Sequence, residues 1–187
     1  SAVTSLGTHF ANVKSEFTFN EIEFFSSLTG LTDGAFAYSN LTEIKICYNI
    51  GVLGKSVFEG CEKLTNVNFV NSGIRYIPEK AFLKCISLRN IVLPDSVENI
   101  NANAFGGVRF KNILFSDDKQ MIEKTLYISL NSKLTIIKNN AFETTNFATN
   151  GIINSTNILE EVSLPSKFRF KLDDYNFLFS SKLKKVN

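Results

Sequence analysis

Side chains that could carry catalysis are few and scattered in this 187-residue chain. The one histidine is His9, so a Ser-His-Asp or Cys-His site would have to use it. No nucleophile-elbow sequence accompanies it. Cys47 is expected to point outward, which makes it the cysteine with the greatest potential reactivity. One histidine without a companion motif favours a protein that is not an enzyme.

Neither metal binding nor phosphate binding is indicated by the remaining polar motifs. The pairs Asp117-Asp118 and Asp173-Asp174 fall where turns are expected, and neither has the spaced oxygen ligands of a calcium loop. No cysteine and histidine spacing matches a zinc site. Gly106-Gly107 lacks the rest of a phosphate loop. We therefore expect no metal and no cofactor.

Two of the three cysteines occupy equivalent positions in the sequence. Cys61 and Cys85 each lie three residues after a phenylalanine, Phe58 and Phe82. Neighbouring parallel strands lie about 5 Å apart, which is within disulfide reach. Three cysteines do not make a disulfide framework, however. We interpret both as small buried thiols that pack in a ladder.

These residues are set on a repeated phrase in which an apolar residue precedes an aromatic anchor by five positions. Six copies occur, at Leu31–Phe36, Leu53–Phe58, Ile77–Phe82, Ile100–Phe105, Ile137–Phe142 and Leu172–Phe177. A period of twenty-odd residues is typical of a stacked solenoid, in which each unit contacts its neighbours. Such proteins usually bind along a surface.

An apolar triplet spaced +3 and +2 follows each anchor, as in Leu64-x-x-Val67-x-Phe69. These copies begin at Leu41, Leu64, Leu88, Phe110, Leu159 and Leu183, the last of them incomplete, and an upstream copy at Phe19 precedes the first anchor. The alternation of apolar and polar residues predicts a strand. Apolar pairs such as Val97 and Ile100 predict a second short strand on the opposite side. The phenylalanine phrase is too short for a stable isolated helix, and we predict a turn of α- or 3₁₀-helix there.

Residues 77–105 resemble the repeat of the BspA-like leucine-rich repeat family. The phrase Ile-Pro-Glu-Lys-Ala-Phe-Leu-Lys-Cys-Ile-Ser-Leu-Arg-Asn-Ile-Val-Leu-Pro-Asp-Ser-Val-Glu-Asn-Ile, residues 77–100, carries the resemblance. Residues 2–10 and 19–25 also look like the start of such proteins from gut Bacteroides-type bacteria. The resemblance implies an α/β leucine-rich-repeat solenoid, β-rich and right-handed, with a parallel strand ladder of about seven turns. It also implies a secreted or surface-attached protein, with adhesion as a role of some members.

We expect one domain over residues 1–187, with residues 1–18 as an N-terminal cap. Insertions at about 116–136 and 143–157 enlarge one turn and are expected to be surface loops, with a possible strand over 125–129. The last triplet stops at Asn187, so we expect an open C-terminal end that could support self-association.

Charge and hydropathy exclude two classes of partner. Twenty basic and 18 acidic residues give a net charge of +2, which is too small for a nucleic-acid-binding footprint. The chain has no run of about 20 apolar residues, so no membrane span is predicted. No signal peptide is recognised, and we expect that any export signal or anchor was removed upstream.

Alternation along the triplets predicts which side chains leave the interior. The predicted binding face comprises Glu43, Lys45, Asn66, Asn68, Val70, Asn90, Val92, Asn112 and Leu114. Its middle is rich in amides and brings Val70, Val92 and Leu114 together, as expected of a contact site. The leading hypothesis is a non-enzymatic adhesion module that recognises a protein or glycan through this face and the insertion loops. The alternative is a structural spacer or self-assembly module without a ligand.

Overall fold

Short parallel strands in repeating turns make up the part of the chain that the computed structural model describes. That part comprises residues 2–108, 112–115, 127–130, 136–137, 141, 161–162 and 185–186. The strands in chain order are β1 (Phe17–Phe19), β2 (Gly30–Leu31), β3 (Leu41–Ile46), β4 (Val52–Leu53), β5 (Asn66–Phe69), β6 (Tyr76–Ile77), β7 (Ile91–Val92), β8 (Asn99–Ile100), β9 (Asn112–Phe115), β10 (Tyr127–Leu130), β11 (Ile136–Ile137), β12 (Glu161–Val162) and β13 (Lys185–Val186).

The strands form four parallel sheets. The triplet strands give the orders β1-β3-β5 and β13-β12-β9-β10-β7, and the second short strands give β2-β4 and β11-β8-β6. Both the predicted parallel ladder and the predicted second strand are therefore confirmed. Ile44 and Val67 are register partners in neighbouring strands and are both buried, so the apolar side of β3 and β5 faces the interior.

A stack of aromatic rings fills the interior of the described turns. The anchors Phe36, Phe58, Phe82 and Phe105 are all fully buried, as their spacing predicts. Successive ring centroids lie 5.7, 5.2 and 5.2 Å apart with interplanar angles of 25° or less. Offset aromatic stacking at such distances adds to the free energy of burial. The predicted anchors Phe142 and Phe177 lie outside the described residues.

The anchor segments are not helical, and this corrects the predicted helical turn. Residues two before and two after each anchor have positive φ, in the pairs Gly34 and Tyr38, Ser56 and Gly60, Lys80 and Lys84, and Asn103 and Gly107. The anchor's own N–H donates to the next turn, as in Phe58 N to Ala81 O at 2.9 Å. The N–H of Cys61, three residues on, instead bonds back to Phe58 O at 3.1 Å. Since alternate N–H groups donate to the next turn, the consecutive hydrogen bonds of an α-helix or a 3₁₀-helix cannot form.

The first turn begins in a different register from the predicted one. Strand β1 pairs Phe17 with Leu41 and Phe19 with Ile44, across an irregularity between Phe17 and Thr18. The residues predicted to continue this strand form a 3₁₀-helix, Ile22–Phe24, instead. Phe24, predicted as a core position, is 77% exposed. The N-terminal segment packs here, where Phe10 stacks on Phe36 at 5.3 Å.

The first insertion carries a strand that enters the ladder. Strand β10 pairs with β7 through Ile128 and Ile91, and with β9 through Ser129 and Leu114. Strand β9, predicted to lie directly beside β7, is therefore one position further along the sheet. The strand expected at 125–129 is thus present as β10, and residues 127–130 belong to the sheet. The 143–157 insertion lies outside the described residues.

One junction between turns lacks ladder pairing on both sides. Strands β5 and β7 belong to different sheets, and so do β4 and β6. One turn earlier, Val70 N donates to Ile46 O at 2.8 Å. Triplet spacing places Pro94 at the position equivalent to Val70, and proline has no N–H to donate. The junction keeps its hydrogen bonds in the anchor segment, where Ser56, Phe58 and Gly60 all donate to the next turn.

Candidate functional site: a groove between two strands

A groove of about 830 Å³ lies at the junction between strands β5 and β7, which belong to successive turns. Its lining residues come from the two strands and from the bends that follow them: Asn66, Val67, Asn68, Phe69, Asn71, Ser72, Asn90, Ile91, Val92, Leu93, Pro94, Asp95 and Ser96. This volume falls within the range of about 300–1,000 Å³ that is typical of ligand sites. The groove therefore offers a concave surface of the size of a ligand site.

The lining combines side-chain amides with apolar surface. Asn66 and Asn68 are exposed on β5 and form no side-chain hydrogen bond with any other residue that the structure describes. Val92 is 56% exposed on β7, and Phe69 is half-buried. Asp95 is the one charged residue in the lining, which contains no lysine, arginine or histidine. The groove can therefore donate and accept hydrogen bonds without attracting anions.

The bend after β5 forms one wall. Six residues separate β5 from β6, whereas five separate β3 from β4. Asn71 takes up this extra length with φ of 52°, a left-handed conformation that asparagine tolerates better than most residues. The next residue, Ser72, turns inward and is only 6% exposed. The added residue thus brings a buried hydroxyl into the lining of the groove.

Two serines at this wall differ in their hydrogen bonding. Ser96 Oγ donates to Ile74 O at 2.7 Å and lies 3.3 Å from Ser72 O, so it joins the bends of two successive turns. The Ser72 Oγ is buried without a hydrogen-bond partner among the described residues. Native proteins satisfy most buried polar atoms. Ser72 Oγ is therefore a buried polar atom in the lining that still has hydrogen-bonding capacity.

Four of the nine residues of the predicted face are exposed in the part of the chain that the structure describes. Asn66, Asn68, Asn90 and Val92 are exposed, whereas Glu43, Lys45 and Val70 are half-buried. Lys45 pairs with Glu23 at 2.8 Å. Because β10 lies between β7 and β9, Ser129 is the register partner of both Val92 and Leu114. The predicted adjacency of Val92 and Leu114 is therefore wrong, and the side chains of Asn112 and Leu114 lie outside the described residues.

Cys47 is buried, contrary to the prediction of an outward, reactive thiol. It follows Ile46, the last residue of β3, and is 1% exposed. Strict alternation fails because the chain leaves the strand at this point. Burial raises the pKa of the Cys47 thiol, and its Sγ lies 3.9 Å from Glu23 Oε2. Both effects disfavour the thiolate form.

Cys61 and Cys85 form the predicted ladder of buried thiols. Cys61 Sγ donates to Phe36 O at 3.0 Å, and Cys85 Sγ donates to Phe58 O at 3.1 Å. Each thiol is free and binds the anchor carbonyl of the preceding turn. Burial raises the pKa of Cys61 to about 11 and that of Cys85 well above its usual value. Ser39 occupies the equivalent place one turn earlier, 3.6 Å from the Cys61 sulfur.

The other candidate chemical groups do not converge on the groove. His9 is exposed, and its Nδ1 lies 2.7 Å from Leu6 O. Within the described residues, no three His, Cys, Asp or Glu side chains are grouped so as to hold a metal ion. Asp117-Asp118 and Asp173-Asp174 lie outside those residues. Across the same described ranges, no helix has the length and apolar character to span a membrane.

Sequence reasoning found part of the groove but missed its depth. It identified Asn66, Asn68, Asn90 and Val92 from alternation, but not the wall formed by Ser72, Asp95 and Ser96. A usable signal was present in Pro94, which interrupts backbone pairing at a triplet end. The extra residue between β5 and β6 was the second signal.

Solved structures of bacterial leucine-rich repeat proteins share this fold. A Treponema pallidum leucine-rich repeat protein is 22% identical, with a TM-score of 0.54 over 74% of this chain and 53% of its own. A leucine-rich cell surface protein of Faecalibacterium prausnitzii is 18% identical, with a TM-score of 0.54 over 91% and 35%. A Bacteroides ovatus leucine-rich repeat protein is 20% identical, with a TM-score of 0.53 over 97% and 44%. This chain thus spans between a third and about half of their lengths.

A family model provides the sequence counterpart of this likeness. No curated protein matches the chain significantly. Residues 9–127 match the BspA type leucine-rich repeat region in six copies. That range contains the aromatic anchors of the described turns and the whole groove. The chain therefore belongs to the BspA-type leucine-rich repeat family.

Proposed function

We propose that this chain is a non-enzymatic binding module displayed outside the cell, and that it contacts a protein or glycan through the outward face around the β5–β7 groove. The observation that carries the proposal is the groove itself, a concave site on the strand face with exposed amides and an exposed valine. Exposed apolar residues rimmed by polar ones are typical of interaction sites.

Location outside the cell is supported by the family and by the Faecalibacterium neighbour, which is described as a cell surface protein. A binding role fits the chemistry of the described face. Its buried thiols have raised pKa values, so they are poor nucleophiles at neutral pH. Binding of a partner at the outward face around the groove is the activity that these residues support best.

The test compares two valine-to-lysine variants that differ in position. Val92 is 56% exposed in the groove, whereas Val52 is 64% exposed on β4, in a different sheet. Binding of wild type, Val92→Lys and Val52→Lys to mucin-coated surfaces, epithelial cells and bacterial cells is measured by surface plasmon resonance and flow cytometry. We expect Val92→Lys to lose binding and Val52→Lys to retain it. Equal binding by both variants, with intact folds, would exclude the face around the groove as the binding site.

A further inference from the structure

The composition of the β5–β7 groove identifies a class of ligand, and this step rests on the proposed binding function. We infer that the groove is a saccharide site that takes a neutral oligosaccharide. Its lining is made of amides, hydroxyls and one carboxylate around a small apolar surface. Sugar rings present the matching pattern, with hydroxyls around the edge and apolar C–H groups on the faces.

The hydrogen-bonding capacity of the lining fits hydroxyl groups. Each asparagine amide both donates and accepts, and so does a serine hydroxyl, whereas Asp95 accepts only. A sugar hydroxyl is itself a donor and an acceptor, so adjacent hydroxyls can bond to Asn66 and Asn68 at once. These two residues lie on the same side of β5 with one residue between them. Their amides form no side-chain hydrogen bond with any described residue.

The Ser72 hydroxyl gives a second and independent indication. It belongs to a groove-lining residue that is 6% exposed, and it has no partner within the described structure. A buried hydroxyl without a partner is unfavourable. Rotation about the Cα–Cβ bond moves the oxygen among staggered positions, so a ligand hydroxyl in the groove can provide the missing bond. The neighbouring Ser96 is already held by Ile74 O.

The charge of the lining disfavours anionic glycans, and the distance between β5 and β7 disfavours a peptide inserted as an extra strand. The lining contains no cationic side chain, so it offers no site for sulfated or carboxylated glycans. A peptide inserted as a strand between β5 and β7 needs twice the usual strand spacing, about 9.5 Å. Cα atoms of β5 and β7 approach within 8 Å, so no strand fits between them. The exposed apolar surface of Val92 instead suits the face of a sugar ring.

The experiment is calorimetric titration of the intact chain with defined neutral oligosaccharides. The probes are maltotriose, cellotriose, mannotriose, chitotriose and N-acetyllactosamine, with sialyllactose and a heparin tetrasaccharide as anionic comparators. We expect saturable binding of at least one neutral probe and weaker binding of both anionic ones. Failure of every neutral probe to bind, or preference for an anionic one, would overturn the inference.

Matched variants connect that binding to the groove. Ser72→Ala and Asn68→Ala should each weaken binding of the neutral probe about tenfold or more, the equivalent of one good hydrogen bond. Asn20→Ala removes an exposed amide from the loop after β1 and should bind as wild type does. Wild-type affinity in the Ser72 and Asn68 variants would also refute the site.

Treating the target surfaces with periodate or with protease separates this inference from the proposed function. Periodate cleaves vicinal diols of glycans, whereas protease removes polypeptide. Binding that periodate abolishes supports the saccharide site. Binding that survives periodate and is lost after protease would leave the binding module standing and reject the saccharide ligand. No binding to any surface or probe would reject both.

Discussion

The rings of Phe82 and Phe105 lie nearly parallel, with centroids 5.2 Å apart and an interplanar angle of 6°. This separation is close to the spacing of neighbouring parallel strands, about 4.8 Å. Backbone pairing and ring stacking therefore advance by nearly the same step. Each of these turns can therefore add one ring to the column, with interplanar angles of 25° or less.

Loss of a central ring should be costly. Phe82→Ala removes a fully buried side chain that stacks on both Phe58 and Phe105, and it should lower the free energy of unfolding by about 3–5 kcal/mol. Phe24→Ala is the matched control, because Phe24 is 77% exposed and should change stability by less than about 0.5 kcal/mol. Urea denaturation followed by circular dichroism measures both. Similar losses for the two variants would contradict the aromatic column.

Gly60 should resist replacement because of its neighbour in the preceding turn. Its φ is +69°, and an added Cβ would lie 2.4 Å from Cδ1 of Tyr38. We expect Gly60→Ala to cost about 1–3 kcal/mol, and less in a Tyr38→Ala background, where the ring is absent. Gly51→Ala should be nearly neutral, since no atom lies within 4 Å of its Cβ position. Thermal unfolding of the single and double variants provides the measurement. Additive costs at positions 60 and 38 would refute the contact.

Stability should fall in alkaline solution because of the buried thiols. Burial raises the pKa of Cys61 from 9.0 to about 11, so the folded state holds this proton more tightly than the unfolded state does. The stabilisation is complete below pH 9 and is lost as pH rises towards 11, with a loss of about 2–3 kcal/mol. Cys61→Ser cannot titrate there and should show a shallower decline. Serine already occupies the equivalent place at Ser39. Parallel pH profiles of wild type and variant would contradict this assignment.

The two groove serines should respond differently to alanine substitution in the absence of ligand. Ser96→Ala loses the hydrogen bond to Ile74 O and should destabilise the protein by about 1 kcal/mol. Ser72→Ala removes an unpartnered hydroxyl, so its stability should be unchanged or slightly higher. Chemical denaturation of both variants measures the difference. A marked destabilisation by Ser72→Ala would indicate a structural hydrogen bond and remove the second support for the saccharide site.

Positions determined by periodic burial could be predicted from the sequence. The anchors Phe36, Phe58, Phe82 and Phe105 and the strand triplets follow from a fixed spacing, because each turn must bury the same places. The outward amides Asn66 and Asn68 follow from alternation on the strands. The cysteine ladder follows from equivalent places in successive turns.

Features that break the period could not be predicted in this way. Local spacing favoured Phe19-x-x-Ile22-x-Phe24 as the first strand, with Phe19 beside Leu41. In the structure Phe17 is the register partner of Leu41, and Phe19 is the partner of Ile44. The left-handed backbone at Lys80 and Lys84 arises from hydrogen bonds to the next turn, which composition does not reveal. Placement of β10 between β7 and β9 is a long-range choice. The groove depends on Pro94 and one added residue, and neither alters the apolar pattern.

The interrupted junction has a consequence for how the molecule responds to mechanical load. Between the turns of Phe58 and Phe82, both strand sheets are discontinuous, while the anchor segment and its rings remain joined. Repeat proteins transmit cooperativity through contacts between neighbouring units. This junction therefore depends on the anchor segment and its rings, and we expect it to yield before its neighbours when the stack of turns is pulled. A ligand bound in the β5–β7 groove would contact both of these turns, so we expect it to raise the force needed to separate them.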